Sequence, residues 1–266
     1  MSRRGWLVTA AVAALLATGV GVAAANRPDP HDIGAGERVV LYGDSLAVEA
    51  GEAFVAAVTR STAADAEVQA TPGIAPCDAR AALEADATSP SPPAVAVLSF
   101  AGNNSTPCVA DAAGNPLEGE ALAERYVADV RAAVELLAAH DVRVVIAGPP
   151  PAPGLPGQAT ELIDQAYRDL VTEWAGIEIG RVRYSPAGRT VAGPDRAYAP
   201  SLPCLEDEDA ADGCTDGRIV VRSPDRIHFC PSGLSDELVC PEYSSGARRY
   251  GEEMARTAAQ ALDPNY

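Results

Sequence analysis

Lysine is absent from this 266-residue sequence, and its 20 basic residues, all arginine, are outnumbered by 37 acidic ones. The formal net charge at pH 7 is therefore −17. A surface this acidic repels nucleic acids and anionic membranes, so we expect neither as a partner. Neutral substrates fit this charge better than anionic ones.

Aromatic residues and histidine are also scarce. Phe, Trp and Tyr make up 5% of the chain, so no broad aromatic platform for sugars is evident, although carbohydrate esters stay open as substrates. The three histidines and the lack of any Cys-x-x-Cys pair argue against a zinc site. Beyond residue 25 the sequence has no apolar run long enough to span a membrane.

The amino terminus has the pattern of an export signal. Arg3 and Arg4 precede an apolar, alanine-rich run over residues 6–25, which ends in small residues that suit cleavage. The arginine pair also resembles a twin-arginine signal. A retained membrane anchor is the alternative, because the run is about long enough to cross a bilayer. The expected organisation is a signal peptide over 1–25, a polar linker over 26–37 and one domain over 38–266.

Strand and helix patterns alternate through that domain. Apolar runs predict strands over residues 38–42, 67–70, 94–100, 142–147 and 181–184. Helical patterns lie between and after them, over residues 48–59, 78–87, 119–140, 160–174 and 245–262. This alternation predicts an α/β fold with a parallel sheet covered by helices on both faces.

Ser45 follows the first predicted strand almost directly. The apolar run VVLY leads into Gly43 and Asp44, which should end the strand in a tight turn before a helix. The Ser45 hydroxyl would then lie at the carboxyl end of a strand, where open α/β sheets bind their ligands. Ser45 is therefore a candidate nucleophile, although Gly-Asp-Ser is also ordinary turn chemistry.

A nucleophilic serine needs a base and a group that orients the base. His31 lies in the linker, and His140 ends a predicted helix, where a cation is simply stabilising. His228 follows Asp225 by three residues, a spacing that lets the carboxylate reach one imidazole nitrogen while the other faces the serine. A chance Asp-x-x-His pair in a surface loop is the alternative interpretation.

Candidate oxyanion donors follow the second and third predicted strands. Gly73 can offer an unhindered N–H, and Gly102 lets the backbone approach closely where an asparagine amide of Asn103-Asn104 points to the same rim. Together with the Ser45 N–H, donors from three strand ends would converge on one place. Each of these signals is common in turns when it occurs alone.

The order of these motifs resembles the SGNH hydrolase superfamily, also called the GDSL esterases and lipases. The resemblance spans roughly residues 38–228, and it implies a flavodoxin-like three-layer α/β/α sandwich around about five parallel strands. It further implies that Ser45 is the nucleophile, His228 the base and Asp225 its partner. Gly73 and Asn104 would complete the oxyanion hole, and no metal or cofactor is implied. The matching motifs are GDSL at 43–46, the glycine at 73, GNN at 102–104 and DRIH at 225–228.

The chain departs from the family pattern in two places. Ser105 follows Asn104 where the family often has aspartate, and around Gly73 only the glycine itself matches. The other common serine-hydrolase motif, Gly-x-Ser-x-Gly, is excluded because Ala47 stands at the second glycine position.

Six cysteines in an exported chain predict three disulfides, for which fifteen pairings are formally open. In the fold that the resemblance implies, the loops after Gly73 and Asn104 are neighbours, so a bridge between them would keep two oxyanion donors in register. The expected bridges are Cys77–Cys108, Cys204–Cys214 and Cys230–Cys240.

These features predict a secreted or envelope serine esterase that hydrolyses neutral O-acyl esters of glycans, lipids or small molecules. Two alternatives stay open. One is an O-acyltransferase that uses the same site with a hydroxyl acceptor in place of water. The other is a non-catalytic envelope or binding domain of the same fold. A monomer is the default expectation.

Overall fold

The computed structural model describes residues 33–153, 155, 159–233, 235 and 240–263. The expected signal peptide, most of the linker and His31 lie outside these residues. The central sheet contains the strands β1 (Arg38–Gly43), β2 (Asp65–Ala70), β3 (Val95–Ser99), β4 (Arg143–Ala147) and β5 (Val182–Ser185). The α-helices of the described part are α1 (Ser45–Ser61), α2 (Arg80–Ala87), α3 (Gly119–Ala138), α4 (Ala159–Ala175) and α5 (Ser245–Leu262).

All strand pairs of the sheet are parallel, in the order β2-β1-β3-β4-β5. This flavodoxin-like order confirms the predicted fold class. The chain runs from β1 to one side of the sheet and from β3 to the other, so the crevice between the carboxyl ends of β1 and β3 is a topological switch point. Gly43 of β1 lies in register with Ala70 of β2 and Ser99 of β3, and the segments after these strands therefore leave the sheet at one edge.

Two hydrophobic clusters cover the two faces of the sheet. Because side chains alternate along a strand, Val39 and Leu41 of β1 pack with α1 and α5, whereas Val40 and Tyr42 pack with α2, α3 and α4. Burial of both faces explains why β1 and β3 have continuous apolar sequences rather than alternating ones.

Helix α1 lies in close backbone contact with α5. A Cβ atom at Gly251 of α5 would lie 2.6 Å from the carbonyl oxygen of Ala50 in α1, so only glycine permits this approach. The buried rings of Phe54 and Tyr250 fill the interface on either side. This packing fixes the position of α1, whose first residue is Ser45.

Two short strands, β6 (Ser201–Pro203) and β7 (Arg218–Val220), form an antiparallel pair that was not predicted from the sequence. Each strand has three residues, too few to produce a periodic pattern. Among the described residues, no helix is both long and apolar enough to cross a membrane.

The three expected disulfides are present, and no cysteine is free. Cys77–Cys108 connects the loop after β2 to the loop after β3, with the two Cα atoms 6.2 Å apart. Cys230–Cys240 begins two residues after His228. Two of the bridges therefore attach to loops at the edge of the sheet where Ser45 lies.

Candidate active site

Ser45 begins helix α1 directly after the turn that ends β1. Asp44 caps this helix, and its Oδ1 accepts a hydrogen bond from the backbone N–H of Leu46 at 3.0 Å. A Cβ at Gly43 would lie 2.3 Å from the Ser99 carbonyl oxygen, so the turn requires glycine there. The local sequence Gly-Asp-Ser therefore explains both the tight turn and the start of the helix.

Ser45, His228 and Asp225 form a continuous chain of hydrogen bonds. Ser45 Oγ lies 2.9 Å from His228 Nε2, and His228 Nδ1 lies 2.6 Å from Asp225 Oδ2. When neutral His228 carries its proton on Nδ1, this N–H donates to Asp225 and Nε2 accepts from the serine hydroxyl. A general base requires this tautomer.

The loop that contains Asp225 and His228 is a tight turn. Asp225 Oδ1 accepts hydrogen bonds from the backbone N–H groups of Ile227 at 2.8 Å and His228 at 3.0 Å. Arg226 has a φ of 67°, in the left-handed region, and the N–H of Ser223 donates to the His228 carbonyl at 2.8 Å. The spacing of three residues thus places the carboxylate in line with the imidazole.

Two carboxyl groups near Ser45 have pKa values shifted in opposite directions. Burial alone would raise the pKa of Asp225, but hydrogen bonds from the His228 side chain and from backbone N–H groups outweigh it and lower the pKa to about 2. Asp44 is fully buried, and burial raises its pKa to about 6 despite hydrogen bonds from the N–H groups of Ala101 and Leu46. Asp225 is therefore ionised over the whole neutral range.

The two candidate oxyanion asparagines have different partners. Asn103 Nδ2 donates to Asp44 Oδ2 at 3.2 Å and to the Ile74 carbonyl at 3.3 Å. Asn104 Nδ2 donates to the Leu117 carbonyl at 3.0 Å. Neither amide donates to Ser45 in the described part of the chain, and the oxyanion role of Asn104 stays a prediction.

Gly73 lies in the turn after β2 with a φ of 78°, a conformation that favours glycine. A Cβ there would meet no atom within 4 Å, so the backbone is open on that side. The loop after β3 is tied to the nucleophile turn, because the Ala101 N–H donates to Asp44 Oδ2 at 2.8 Å. The structure thus leaves space beside Gly73, and its role as an oxyanion donor also stays a prediction.

Sequence reasoning missed Glu49 of α1. Its Oε2 accepts from the Phe229 N–H at 2.9 Å and its Oε1 from the Cys230 N–H at 3.1 Å, and these two residues directly follow His228. Burial raises the pKa of Glu49, against the opposing effects of these N–H groups and of His228. The only signal in the sequence is its position four residues after Ser45, on the same face of the helix.

Arg222 was missed as well. Its side chain is buried, and Nη2 donates to the carbonyl oxygens of Arg226 at 3.2 Å and Ile227 at 2.6 Å. The guanidinium lies between the rings of Phe229 and Tyr198, 5.2 and 5.9 Å from their centroids. Burial lowers its pKa to about 10, so the group stays charged at neutral pH.

The strand order, the serine after β1 and the Asp-x-x-His loop before the last helix define the class of protein, an SGNH hydrolase fold. The chain is similar to a GDSL-like lipase from Bacteroides thetaiotaomicron VPI-5482, at 14% identity over 86% of this chain and 89% of that one, with a TM-score of 0.52. A candidate acylhydrolase from Bacteroides fragilis NCTC 9343 gives 15% identity, 87% and 90% coverage, and a TM-score of 0.53. The chain is also similar to TesA, at 13% identity over 85% of this chain and 99% of that one, with a TM-score of 0.52. The fold that the sequence resemblance implied is thereby confirmed.

Residues 38–236 match the family described as "Protein of unknown function (DUF459)", and the chain belongs to this family. No curated protein sequence matches the chain. The family description leaves the activity to be inferred from the site.

Proposed function

We propose that the protein is an exported serine esterase that hydrolyses neutral O-acyl esters through an acyl-enzyme on Ser45. The observation that supports this most strongly is the chain of hydrogen bonds from Ser45 to His228 and Asp225, at 2.9 and 2.6 Å. The three residues come from two distant parts of the sequence, and a purely structural role gives no reason for all three to align.

In the proposed reaction, Ser45 Oγ attacks the ester carbonyl carbon while His228 Nε2 accepts the hydroxyl proton. Ionised Asp225 stabilises the imidazolium that forms. As the tetrahedral intermediate collapses, His228 returns the proton to the leaving alkoxide and the acyl group stays on Ser45. A water molecule, deprotonated by the same imidazole, then releases the acid and restores the serine.

The oxyanion of each intermediate would be bound by the Ser45 and Gly73 N–H groups and by the Asn104 side-chain amide. The position of Ser45 at the N-terminus of α1 supports this, because backbone N–H groups and the helix dipole favour negative charge there. The Asn104 Nδ2 group has two hydrogens, so it can keep its bond to the Leu117 carbonyl and donate the second hydrogen to the oxyanion.

Export and substrate charge rest on separate observations. Three disulfides are typical of proteins in oxidising compartments outside the cytosol. The net charge of −17 favours neutral over anionic esters. We propose short-chain acyl groups on glycans, lipids or small molecules as the substrates.

The test is hydrolysis of p-nitrophenyl acetate, butyrate and octanoate by residues 26–266, beside the Ser45→Ala variant. Turnover that depends on Ser45 supports the proposal, and the profile of chain lengths shows the depth of the acyl site. Product analysis with a hydroxyl acceptor separates hydrolysis from transfer. No turnover, together with no labelling of Ser45 by a fluorophosphonate, would contradict an enzymatic function.

A further inference from the structure

The backbone around His228 is fully hydrogen-bonded, and one of its partners stands apart from the rest. From the N–H of Ile227 to the N–H of Cys230, every backbone polar group has a partner. These partners are Asp225, Arg222, Ser223, Ser244 and Glu49. All except Glu49 lie within about 20 residues of His228 in the sequence, whereas Glu49 belongs to the helix that begins with Ser45.

Helix α1 therefore contacts the loop of His228 at two points one helical turn apart. Ser45 Oγ meets the imidazole Nε2 at 2.9 Å, and four residues later the Glu49 carboxylate accepts the N–H groups of Phe229 and Cys230. A rotation or shift of this loop relative to α1 would break both contacts together. The His228 loop is thus held against α1 both at the nucleophile and at Glu49.

A carboxylate is a costly choice for this position if its role is only to stabilise the fold. Glu49 is partly buried, and it forms no salt bridge with a described residue, so its desolvation is offset only by the two N–H groups and by nearby charges. An apolar side chain would avoid this cost but would leave the Phe229 and Cys230 N–H groups without their acceptor. The carboxylate therefore binds the loop at the two residues that directly follow the base, where its contacts also hold the loop against α1.

The charge of Glu49 also acts on His228. The charged groups around the imidazole are Asp225 on its own loop, Glu49 on α1, Asp44 at the start of α1 and the guanidinium of Arg222 beneath the loop. Three of them are carboxyl groups. Of these, Asp225 hydrogen-bonds to the ring, whereas Glu49 binds the backbone of the same loop directly after the ring.

We infer that Glu49 is a positioning residue for the catalytic base, which fastens the loop of His228 to the helix of Ser45 and stabilises the imidazolium formed during proton transfer. This inference rests on the proposed function of Ser45 and His228. It assigns Glu49 no contact with the substrate.

The first test compares Glu49→Gln with Glu52→Gln, an exposed glutamate on the same helix. A glutamine accepts only one of the two N–H groups and turns an NH₂ group towards the other. We expect kcat of Glu49→Gln to fall about 100-fold with little change in KM, because a misplacement of about 1 Å costs that much. Glu52→Gln should keep the wild-type rate.

The second test measures the rate at which a fluorophosphonate labels Ser45, which requires the base to lie against the serine hydroxyl but does not require release of an acyl group. Glu49→Gln should slow this labelling by about the same factor as kcat, because the serine and the imidazole are then misaligned. Glu49→Asp keeps the charge but is too short to reach both N–H groups, so it should slow the labelling as well. A purely structural role for Glu49 would leave the labelling rate of the folded variants at the wild-type value.

Two outcomes overturn the inference. One is a Glu49→Gln protein that keeps the wild-type kcat and labelling rate, and the other is a loss of melting temperature alone, with full kcat below the unfolding transition. If Glu49→Gln does not fold, the same two measurements on Glu49→Asp test the inference. Failure of the proposed function looks different, because a fluorophosphonate would then fail to label Ser45 in the wild type as well as in the Glu49 variants.

Discussion

The two halves of the site differ in how far they are assembled in the free protein. In the proton-transfer half, Ser45, His228 and Asp225 already lie at hydrogen-bond distances from one another. In the oxyanion half, the Asn104 amide donates to the Leu117 carbonyl instead. The groups of the first half bind one another, whereas the groups of the second half are proposed to bind a negative charge that exists only during the reaction.

The two halves differ because only one of them can be ordered by its own hydrogen bonds before substrate binds. A base, its carboxylate and a hydroxyl satisfy each other's hydrogen bonds, so the resting protein stabilises their reactive arrangement. Donors meant for an oxyanion do not complement one another, and in the free protein the Asn104 amide donates to the Leu117 carbonyl. The contrast predicts that variants in the first half lose activity without a change in fold, and that variants in the second half affect the transition state selectively.

The largest effect is expected from the proton-transfer half. Ser45→Ala or His228→Ala should lower kcat by more than about 10⁴-fold, because residues that act as a unit fail together. The melting temperature should stay within a few degrees of the wild type. Activity assays beside thermal unfolding check both points, and an active Ser45→Ala protein would refute the proposed mechanism.

The next effect separates the two asparagines of the oxyanion half. Asn104→Ala should lower kcat by about 10²–10³-fold with little change in KM, because the oxyanion is absent from the ground state. Asn103→Ala removes a donor from buried Asp44 and should mainly lower the melting temperature. Steady-state kinetics and unfolding of both variants check this assignment. If Asn103→Ala loses kcat and Asn104→Ala keeps it, the roles are reversed.

Sequence reasoning succeeded where the determining interactions are local. The turn at Gly43 and Asp44, the helix from Ser45 and the Asp225–His228 spacing all follow from contacts within a few residues. Helix α1 began three residues earlier than expected, at Ser45 rather than residue 48, because the Asp44 cap starts it immediately.

The residues that sequence reasoning missed depend on distant contacts. Glu49 bonds to backbone N–H groups about 180 positions away, and no side-chain pattern marks a backbone partner. Arginine is mostly exposed in proteins, yet Arg222 is buried, and the backbone carbonyls that it binds are brought to it only by the folded loop. The different partners of Asn103 and Asn104 likewise depend on loops that only the folded chain brings together.

The disulfide between the oxyanion loops should have a moderate effect. Replacing Cys77 and Cys108 together by serine should lower the free energy of unfolding by about 3–4 kcal/mol in the chain-entropy model, given their separation of 31 residues. If the bridge also keeps the loops in register, kcat should fall more than KM rises. The matched control is the serine pair at Cys204 and Cys214, which lie in the β6–β7 loop and should affect stability alone. Equal kcat values in both double variants would show that the first bridge does not order the site.

The smallest effect is a pH dependence of stability from Asp44, which joins the two halves through Leu46 and Ala101. Folding raises its pKa from 3.8 to about 6, so the folded protein binds this proton more tightly than the unfolded chain. The resulting stabilisation is present below about pH 3.8 and is lost as the pH rises through about 6, a change of no more than about 3 kcal/mol. Unfolding of wild type and Asp44→Asn from pH 4 to 7 checks this, because the variant should lack this decrease. A parallel pH profile in both proteins would mean that the buried carboxyl group shared by the two halves does not titrate in this range.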